Sequence, residues 1–428
     1  MPLRICFYED ESFRRFLPLT HLRPVFLLRS GILPLYRRAE RYFSKVEFSL
    51  TSRHHLAGLI SEQIRDLPVN IIKRGEDTNL LFLSARVRNY GDLPKLVKES
   101  RLSTIFKSEG ETVGVLFKQE ALDSVPKLAT QDEYQAAFHD PSNAFPECKT
   151  SATLYGYTWD LVADIDSEIA ADFAYLKPNF PVPTGVKIHP GVYMLNEEEI
   201  FLGAGVEIRP GTIIDASGGP VYIGDNTRVE SQAAIYGPCY IGPNSVVVAG
   251  KIAGSSIGHT SRVGGEVEEC IFQAYVNKYH AGFIGHSYTG AWVNFGAMTT
   301  NSDLKNNYSN IRVSLNGESI DTGSIKVGSF IGDHTKFGIG TLLNTGISIG
   351  VCCNIFGGGL VTDKEVTSFS WGNSSAYVPY RFDKAVDTAR RTMDRRDVAL
   401  SDAEEQALKA ISEGSDPTAG LVSFEERG

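Results

Sequence analysis

The segment 277–301 carries the polar side chains that are best suited to group-transfer chemistry. Its sequence, NKYHAGFIGHSYTGAWVNFGAMTTN, contains His280, whose imidazole can accept a proton near neutral pH. Lys278 offers a cation to a phosphate or carboxylate, and Asn294 and Asn301 can hydrogen-bond a polar substrate. Because most single histidines in proteins are structural, the spacing alone leaves both a catalytic and a structural role open for His280.

A second pattern of polar residues would give metal chemistry. His259, His280, His286 and His334 are imidazoles that can bind zinc and leave one position open for water. In trimeric β-helical zinc enzymes, such a site is built from histidines of two subunits. The spacings of 21 and 6 residues between the first three histidines do not match that pattern, so zinc is the weaker alternative.

A third polar feature lies near the end of the chain, where Arg390, Arg391, Arg395 and Arg396 form a basic cluster. Four arginines so close together can bind phosphate groups. They are also typical of a solvated helix face, which is the interpretation that the local pattern favours.

The scaffold around the 277–301 segment is predicted by a six-residue apolar repeat. Its members are Ile223, Val229, Ile235, Ile241 and Val247 upstream, and Ile331, Phe337, Leu343, Ile349, Ile355 and Val361 downstream. A period of six fits neither a helix nor an alternating strand, but it is typical of a parallel β-helix. We therefore expect each hexad to form one flat face of a coil, with polar residues that break the repeat carrying the function. The polar stretch 298–324 is predicted to be a loop that protrudes from a coil.

The regions that flank the repeat have a different character. Apolar runs at 3–8, 46–50, 69–72, 80–84 and 112–118 alternate with helical patterns, which predicts an α/β sheet that is largely parallel. After the repeat, Phe382, Val386, Ala389 and Met393 form an amphipathic helix stripe, and a capping-box pattern at Ser401 opens a second helix. The predicted domains are an α/β domain over 1–180, a β-helix over 181–372 and a helical tail over 373–428.

Composition excludes several classes of protein. A net charge of −9 and a pI of about 5.6 argue against a protein that coats nucleic acid. No apolar run approaches the ~20 residues that a membrane helix needs, and the acidic N-terminus is unlike a signal peptide. The six cysteines show neither a metal-binding spacing nor a disulfide framework, so we expect a cytoplasmic protein with reduced thiols.

The motifs of both halves resemble one enzyme family. YHAGFIG (279–285) and VNFGAMT (293–299) resemble the histidine and asparagine segments of sugar nucleotidyltransferases that carry a left-handed β-helical acetyltransferase domain. PLTHLRP (18–24), LRSGI (28–32), GYTWDLV (156–162) and NSDLKNNY (301–308) resemble a divergent branch of the same family. This chain departs from the family at Phe283, where the family has a tyrosine, and at Lys278, which lies one residue nearer the histidine. The interval from Asn294 to Asn301 is also shorter by two residues.

The resemblance implies a bifunctional enzyme of sugar-nucleotide synthesis that uses acetyl-CoA and Mg²⁺. It implies that His280 is the general base for acetyl transfer to an aminosugar phosphate. It implies further that Lys278, Asn294, Asn301 and Lys305 bind this substrate. A homotrimer with clefts shared between subunits is the expected assembly, with no nucleic-acid or membrane partner.

The N-terminal half lacks two features that the family leads us to expect. No glycine-rich phosphate loop follows the first strand, where the chain reads YEDESFRR, and no Mg²⁺-binding aspartate follows the strand LLFLSAR. We expect Arg14, Arg15, Thr20 and Arg23 to bind the nucleoside triphosphate in place of the loop. The alternative is a non-catalytic protein, a β-helical scaffold or regulatory subunit that binds a sugar nucleotide without turnover.

Overall fold

The computed structural model describes residues 2–73, 78–122, 128–130 and 145–414. Within these residues, no helix is both long and apolar enough to span a lipid bilayer.

The described residues of the N-terminal region form ten strands and six α-helices. The strands are β1 (Leu3–Tyr8), β2 (Glu47–Leu50), β3 (Ile71–Lys73), β4 (Asn79–Ser84), β5 (Val87–Asn89), β6 (Thr104–Ser108), β7 (Glu111–Phe117), β8 (Leu128–Thr130), β9 (Glu147–Lys149) and β10 (Thr153–Leu154). The helices are α1 (Leu35–Arg38), α2 (His54–Gln63), α3 (Leu93–Glu99), α4 (Gln119–Leu122), α5 (Thr158–Ala163) and α6 (Ile165–Leu176). Short 3₁₀ turns lie at Glu11–Phe16, Val25–Leu27, Ala39–Arg41 and Lys177–Asn179.

Six of these strands form one mixed sheet in the order β2-β1-β4-β7-β6-β9. Strands β2, β1 and β4 are parallel, whereas β7 is antiparallel to both β4 and β6. The prediction of a largely parallel α/β sheet is confirmed, because β7 is the one strand of these six that runs opposite to the others. The carboxyl ends of β1 and β4 lie side by side, since Tyr8 pairs with Ser84.

The central region consists of short strands that form a parallel β-helix, one inserted hairpin and one closing antiparallel strand. They are β11 (Lys187–Ile188), β12 (Tyr193–Leu195), β13 (Ile200–Leu202), β14 (Glu207–Ile208), β15 (Ile213–Asp215), β16 (Val221–Ile223), β17 (Arg228–Val229), β18 (Ala233–Tyr236), β19 (Cys239–Ile241), β20 (Val246–Ala253), β21 (Ser256–Ile257), β22 (Arg262–Glu268), β23 (Ile271–Phe272), β24 (Asn277–Lys278), β25 (Phe283–Gly285), β26 (Tyr288–Thr289), β27 (Asn294–Phe295), β28 (Thr300–Asn301), β29 (Arg312–Leu315), β30 (Glu318–Asp321), β31 (Ser329–Ile331), β32 (Lys336–Phe337), β33 (Thr341–Leu343), β34 (Ile347–Ile349), β35 (Asn354–Ile355), β36 (Gly359–Val361), β37 (Glu365–Val366), β38 (Ser370–Asn373) and β39 (Ala376–Pro379). Glu197–Glu199 forms a 3₁₀ turn between β12 and β13.

The strands stack into three faces, as the hexads predict. One face runs β13-β16-β19-β21-β23-β26-β31-β34-β37, and a second runs β11-β14-β17-β20-β22-β24-β27-β32-β35-β38. The third contains β12, β15, β18 and then β28-β33-β36. The repeat residues point inward: Val229, Val247, Phe337 and Ile355 have exposed fractions of 0–3%. The β-helix prediction is therefore confirmed.

The 298–324 stretch leaves the coil and forms the antiparallel hairpin β29–β30. It does not simply protrude into solvent, because Ile311, Val313 and Leu315 are buried. At its tip, the backbone N–H of Asn316 donates to Glu365 (2.8 Å). The hairpin thus packs back on the coils and closes the gap that the insertion leaves.

Two helices end the described chain, α7 (Phe382–Asp394) and α8 (Asp402–Ser412). Val386, Ala389 and Met393 form the buried stripe of α7, as predicted. Ser401 caps α8 by accepting a hydrogen bond from the Glu404 N–H (3.2 Å). Both predicted helices are confirmed.

Candidate active sites

His280 lies at an exposed corner of the β-helix, two residues after β24. Its imidazole contacts the Tyr279 ring edge-on at 5.4 Å and forms no hydrogen bond within the described residues. The turn requires glycine at Gly282, whose φ is +127° and where an added Cβ would lie 2.2 Å from the Thr299 carbonyl oxygen. The corner therefore presents a histidine side chain that solvent and a substrate can reach.

Lys278 is 1% exposed and occupies an inward position of the same stack as Val263, with which it pairs across coils. Its ammonium donates to the carbonyl oxygens of Gly264 (2.9 Å) and His280 (2.6 Å). Burial lowers the pKa of Lys278 to about 8. The structure therefore places this ammonium inside the coil, behind the His280 corner, rather than on a substrate-binding surface.

Asn301 is also buried, with 2% of its surface exposed. Its side-chain amide accepts from the Gly285 N–H (2.8 Å) and donates to the Gly285 carbonyl (2.9 Å). These bonds replace the ladder bonds that a regular strand would make, because the chain leaves the coil shortly after Asn301. Its position is that of a structural amide.

Asn294 is half-buried and lies on the outward side of the coil after His280. Its Oδ1 accepts a hydrogen bond from Nδ2 of Asn277 (2.7 Å), the residue opposite it on β24. Asn277 precedes His280 by three residues. The structure thus places the Asn277–Asn294 amide pair on the same coils as His280 but shows no direct contact between His280 and Asn294.

Lys305 lies in the loop that follows β28 and is half-buried. Its ammonium donates to the carbonyl of Asn310 (2.5 Å), which closes a local turn. It therefore lies on the inserted loop and not on the coil that carries His280.

The other histidines of the zinc alternative have partners of their own. His286 bonds Asp303 through Nδ1 (2.7 Å) and Glu269 through Nε2 (3.0 Å). Burial opposes the charged imidazolium, but the hydrogen bonds to these two carboxylates raise the pKa of His286 to about 9. His334 bonds Glu404 on α8 (2.9 Å). Across the described parts of the chain, no group of three or more His, Cys, Asp or Glu side chains is arranged to hold a metal ion.

The carboxyl ends of β1 and β4 carry a cluster of arginines and carboxylates. Arg15 and Arg86 both pair with Glu111, at 3.1 and 2.9 Å, and Arg86 also lies 3.8 Å from Asp10. Although partial burial works in the opposite direction, Arg86 and Arg15 hold the pKa of Glu111 below its usual range. Ligands of open α/β sheets bind at such strand ends, so this cluster marks the candidate nucleotide site.

The carboxylates at these strand ends do not suit Mg²⁺ as they are arranged. Glu9 is buried against Arg53 (3.0 Å), and Glu111 is bound by arginines. Arg86 occupies the place after β4 where the sequence comparison led us to expect an aspartate. Because guanidinium groups already neutralise these carboxylates, a Mg²⁺ ion would have to displace an arginine to bind here.

Thr20 and Arg23 do not lie at a nucleotide-accessible surface. Thr20 is 0% exposed, and its hydroxyl donates to the Phe13 carbonyl (2.9 Å). Arg23 forms a bidentate pair with Asp333 of the β-helix, with Nη1 donating to Oδ2 at 3.0 Å. Both residues therefore hold elements together, whereas Arg14, paired with Glu11 at 3.1 Å, and Arg15 stay partly exposed.

Asn277, Arg86 and Glu111 were not singled out from the sequence. A signal for Arg86 existed, because it stands in the LLFLSAR strand end that was searched for an aspartate. Glu111 comes from β7, and its place beside β4 depends on the antiparallel pairing that the alternation of strands and helices does not reveal.

Comparison with known proteins covers both halves of the chain. The family model for sugar nucleotidyl transferases matches residues 5–179. A bifunctional sugar-1-phosphate nucleotidylyltransferase/acetyltransferase of Sulfurisphaera tokodaii is 30% identical over 399 residues, covering 82% of this chain and 95% of the relative. The bifunctional protein GlmU of Methanococcus maripaludis is 26% identical over 152 residues, covering 36% of this chain and 33% of that protein.

Among solved structures, a UDP-N-acetylglucosamine acyltransferase aligns with 14% identity and a TM-score of 0.24. The alignment covers 55% of this chain and 91% of that one.

Proposed function

Because the chain belongs to the family of bifunctional sugar-1-phosphate nucleotidylyltransferase/acetyltransferases, we propose that its β-helix catalyses acetyl transfer from acetyl-CoA to an aminosugar phosphate. His280 is the proposed catalytic residue. The enzyme is a transferase, and its relatives' names couple this acyl transfer to nucleotidyl transfer. The observation that carries the proposal is the exposed imidazole of His280, which forms no hydrogen bond within the described residues. It lies at a turn that requires glycine at Gly282.

His280 acts as the general base in this proposal. The substrate amine forms a bond to the acetyl carbonyl carbon, the carbon–sulfur bond breaks, and the amine proton passes through His280 to the leaving thiolate. A positioned base of this kind contributes about 10²–10⁴-fold to a rate. Lys278 positions the backbone of His280, because its ammonium donates a hydrogen bond to the His280 carbonyl oxygen.

Substrate binding is proposed for Asn294, with Asn277 added as its neighbour. Their paired amides leave one donor group and one acceptor group facing outward for sugar hydroxyls. Lys278 and Asn301 act indirectly, as positioning residues behind this surface. Lys305 is proposed to bind the substrate from the inserted loop.

The N-terminal domain is proposed to bind a nucleoside triphosphate and a sugar-1-phosphate at the ends of β1 and β4. Arg14 and Arg15 are partly exposed there and supply cations for the triphosphate. Thr20 and Arg23 support the site from inside by fixing the segment that carries these arginines.

A second candidate function is favoured for this domain by one observation. The carboxylates at the strand ends are bound by arginines and are therefore not free to hold Mg²⁺, which favours binding of a sugar nucleotide over Mg²⁺-assisted transfer. The domain would then bind the nucleotide without turnover. Calorimetry with a nucleoside triphosphate, repeated with and without Mg²⁺, separates the two functions: Mg²⁺-independent binding without turnover supports the second.

A homotrimer is supported by an exposed apolar stripe beside the His280 corner. Leu342 and Leu360 are opposite each other on β33 and β36, with exposed fractions of 42% and 52%. Ile339, 74% exposed, and Met298, whose N–H bonds the Ala281 carbonyl, extend the stripe to the turn that carries His280. A packed partner subunit would cover this stripe and complete the cleft. We also propose a cytoplasmic location.

Leu342→Asp combined with Leu360→Asp tests the trimer. We expect sedimentation to show dissociation and acetyl transfer to fall by at least about 10-fold, because charge at an apolar interface opposes association. Leu102→Asp, at a 64% exposed position of the N-terminal domain, is the matched control. A variant that dissociates but keeps full activity would contradict the shared cleft.

The proposed function itself is tested by acetyl-CoA consumption against a panel of aminosugar phosphates. Turnover with at least one member of the panel supports it. No turnover with any of them, by a protein that sediments as a folded species, would contradict it.

A further inference from the structure

A small pocket between the β-helix and α7 is lined by three arginines. Arg262 comes from β22, and Arg395 and Arg396 directly follow the last residue of α7. The remaining lining residues carry no charge: Tyr275, Asn277, Trp292, Val293, Asn294 and Thr392. The pocket thus concentrates positive charge beside the proposed substrate amides.

These three arginines form no ion pair with an acidic side chain in the described parts of the chain, although Asp394 and Asp397 flank the two from α7 in sequence. Other arginines, in α7 and directly before it, are paired with carboxylates. Arg381 pairs with Asp383, Arg390 with Glu405 and Arg391 with Asp387. In the basic cluster noted in the sequence, Arg390 and Arg391 are therefore paired on the helix surface. Arg395 and Arg396 form no ion pair in the described residues and line the pocket.

Like charges within the pocket oppose one another. Burial, together with the positive charges of Arg262 and Arg395, lowers the pKa of Arg396. An anion between the guanidinium groups would remove this repulsion.

Rigid elements hold the arginines in place. The end of α7 is closed by Asp397, with φ +56°, and by the Val398 N–H, which donates to the Met393 carbonyl (3.2 Å). Met393 is 2% exposed and anchors this turn on the protein. Arg262 is fixed by the β-helix backbone, where its N–H donates to the Val276 carbonyl (2.8 Å).

The size of the pocket selects the kind of ligand. Its volume is about 80 Å³, well below the ~300–1,000 Å³ of sites that enclose a whole small molecule. It suits one anionic group, with the rest of the ligand outside. Asn277 stands three residues before His280, so the chain between this lining residue and the proposed base spans at most about 10 Å.

We propose that this pocket binds the phosphate group of a phosphate ester that takes part in acetyl transfer. Guanidinium groups recognise phosphate through paired, charge-assisted hydrogen bonds, and three arginines line this pocket together with two amides. The inference rests on the proposed function, which supplies two sources of this group, the sugar phosphate and CoA.

The test compares two double variants with the same loss of charge on or directly beside the same helix. Arg395→Gln with Arg396→Gln removes the pocket arginines. Arg381→Gln with Arg391→Gln removes paired surface arginines and is the control. In the first, we expect KM for one reactant to rise about 10- to 100-fold with kcat nearly unchanged, because charged hydrogen bonds are lost. A rise for the sugar phosphate assigns the pocket to that substrate, and a rise for acetyl-CoA assigns it to the cofactor.

A measurement independent of turnover keeps this inference separate from the proposed function. Inorganic phosphate should raise the melting temperature of the wild type and the control variant but not of the pocket variant. Loss of this effect supports the pocket even if no acetyl transfer is found. Equal phosphate effects, or unchanged KM values in an active pocket variant, would overturn it.

Discussion

The strand ends of the N-terminal domain and the His280 corner of the β-helix differ in how their charged and polar side chains are used. At the strand ends, Glu9 and Glu111 are held by Arg53 and Arg86. At the corner, the His280 imidazole is exposed and has no hydrogen-bond partner in the described structure. Paired groups hold elements together, whereas an unpaired and accessible group is free to react.

The same distinction separates residues within each region. Arg23 and Lys278 looked suited to binding anions, yet each is buried and already bound, to Asp333 and to two carbonyl groups. Burying a charged group without a partner costs free energy. A buried charged group is therefore expected to be paired and to have a structural role. The predictions below test whether paired groups affect stability and unpaired groups affect turnover.

Asp333→Ala should give the largest loss of stability. It leaves the Arg23 guanidinium buried without its partner and removes the acceptor of the Ala291 N–H (2.8 Å). Breaking a buried pair in this way costs about 3–5 kcal/mol. Urea unfolding checks the size of the effect, and acetyl-transfer turnover per folded molecule should hardly change.

Asp387→Ala is the matched control, since Asp387 forms an exposed pair with Arg391 on α7. Such a pair contributes no more than about 0.5 kcal/mol. Equal losses in the two variants would mean that the contact between the domains is not what Asp333 stabilises.

His286→Gln should make stability less dependent on alkaline pH. The pKa of His286 is raised from about 6.5 in the unfolded chain to about 9, so its stabilisation is complete below pH ~6.5 and disappears as pH rises through about 9. The difference in stability between wild type and variant should therefore shrink over this range, from on the order of 3 kcal/mol at most. Melting curves at pH 6.5 and 9.5 measure it.

His189→Gln serves as the control, because His189 pairs with Glu207 at the surface. Its effect should be much smaller at both pH values. A constant difference for His286→Gln from pH 6.5 to 9.5 would exclude a charged His286 between Glu269 and Asp303.

Lys278→Met should give the smallest change and decides between two roles. As a positioning residue, Lys278 bonds the His280 carbonyl, so its loss should lower kcat by about 10-fold and leave KM unchanged. As a substrate ligand, its loss would raise KM. Stability should change by no more than about 1–2 kcal/mol, because an apolar side chain of similar size avoids burying the ammonium.

The sequence predicted the β-helix because the hexads 223–247 and 331–361 keep a constant phase, with Val229 opposite Val247 and Phe337 opposite Ile355, both 18 residues apart. Between them the coils shorten, to 16 residues from Val247 to Val263 and 15 from there to Lys278. The six-residue phase is lost in these shorter coils. For this reason Lys278, whose side chain points inward, was predicted to face outward and bind the substrate.

Residues that depend on contacts between distant segments could not be assigned from the sequence. Arg23 and Asp333 are 310 positions apart, and nothing in either motif indicates the other. Likewise, Arg395 and Arg396 were recognised as basic, but Arg262 joins them only when α7 packs on the coils.

The most direct test of the account is the acetyl-transfer rate of His280→Ala, measured with its melting temperature and beside His189→Ala as a control at a surface histidine that is paired with Glu207. We predict a fall in kcat of about 10²–10⁴-fold with an unchanged melting temperature, since the exposed imidazole supports no core. An active His280→Ala enzyme with a lowered melting temperature would contradict the account, because His280 would then be a structural residue.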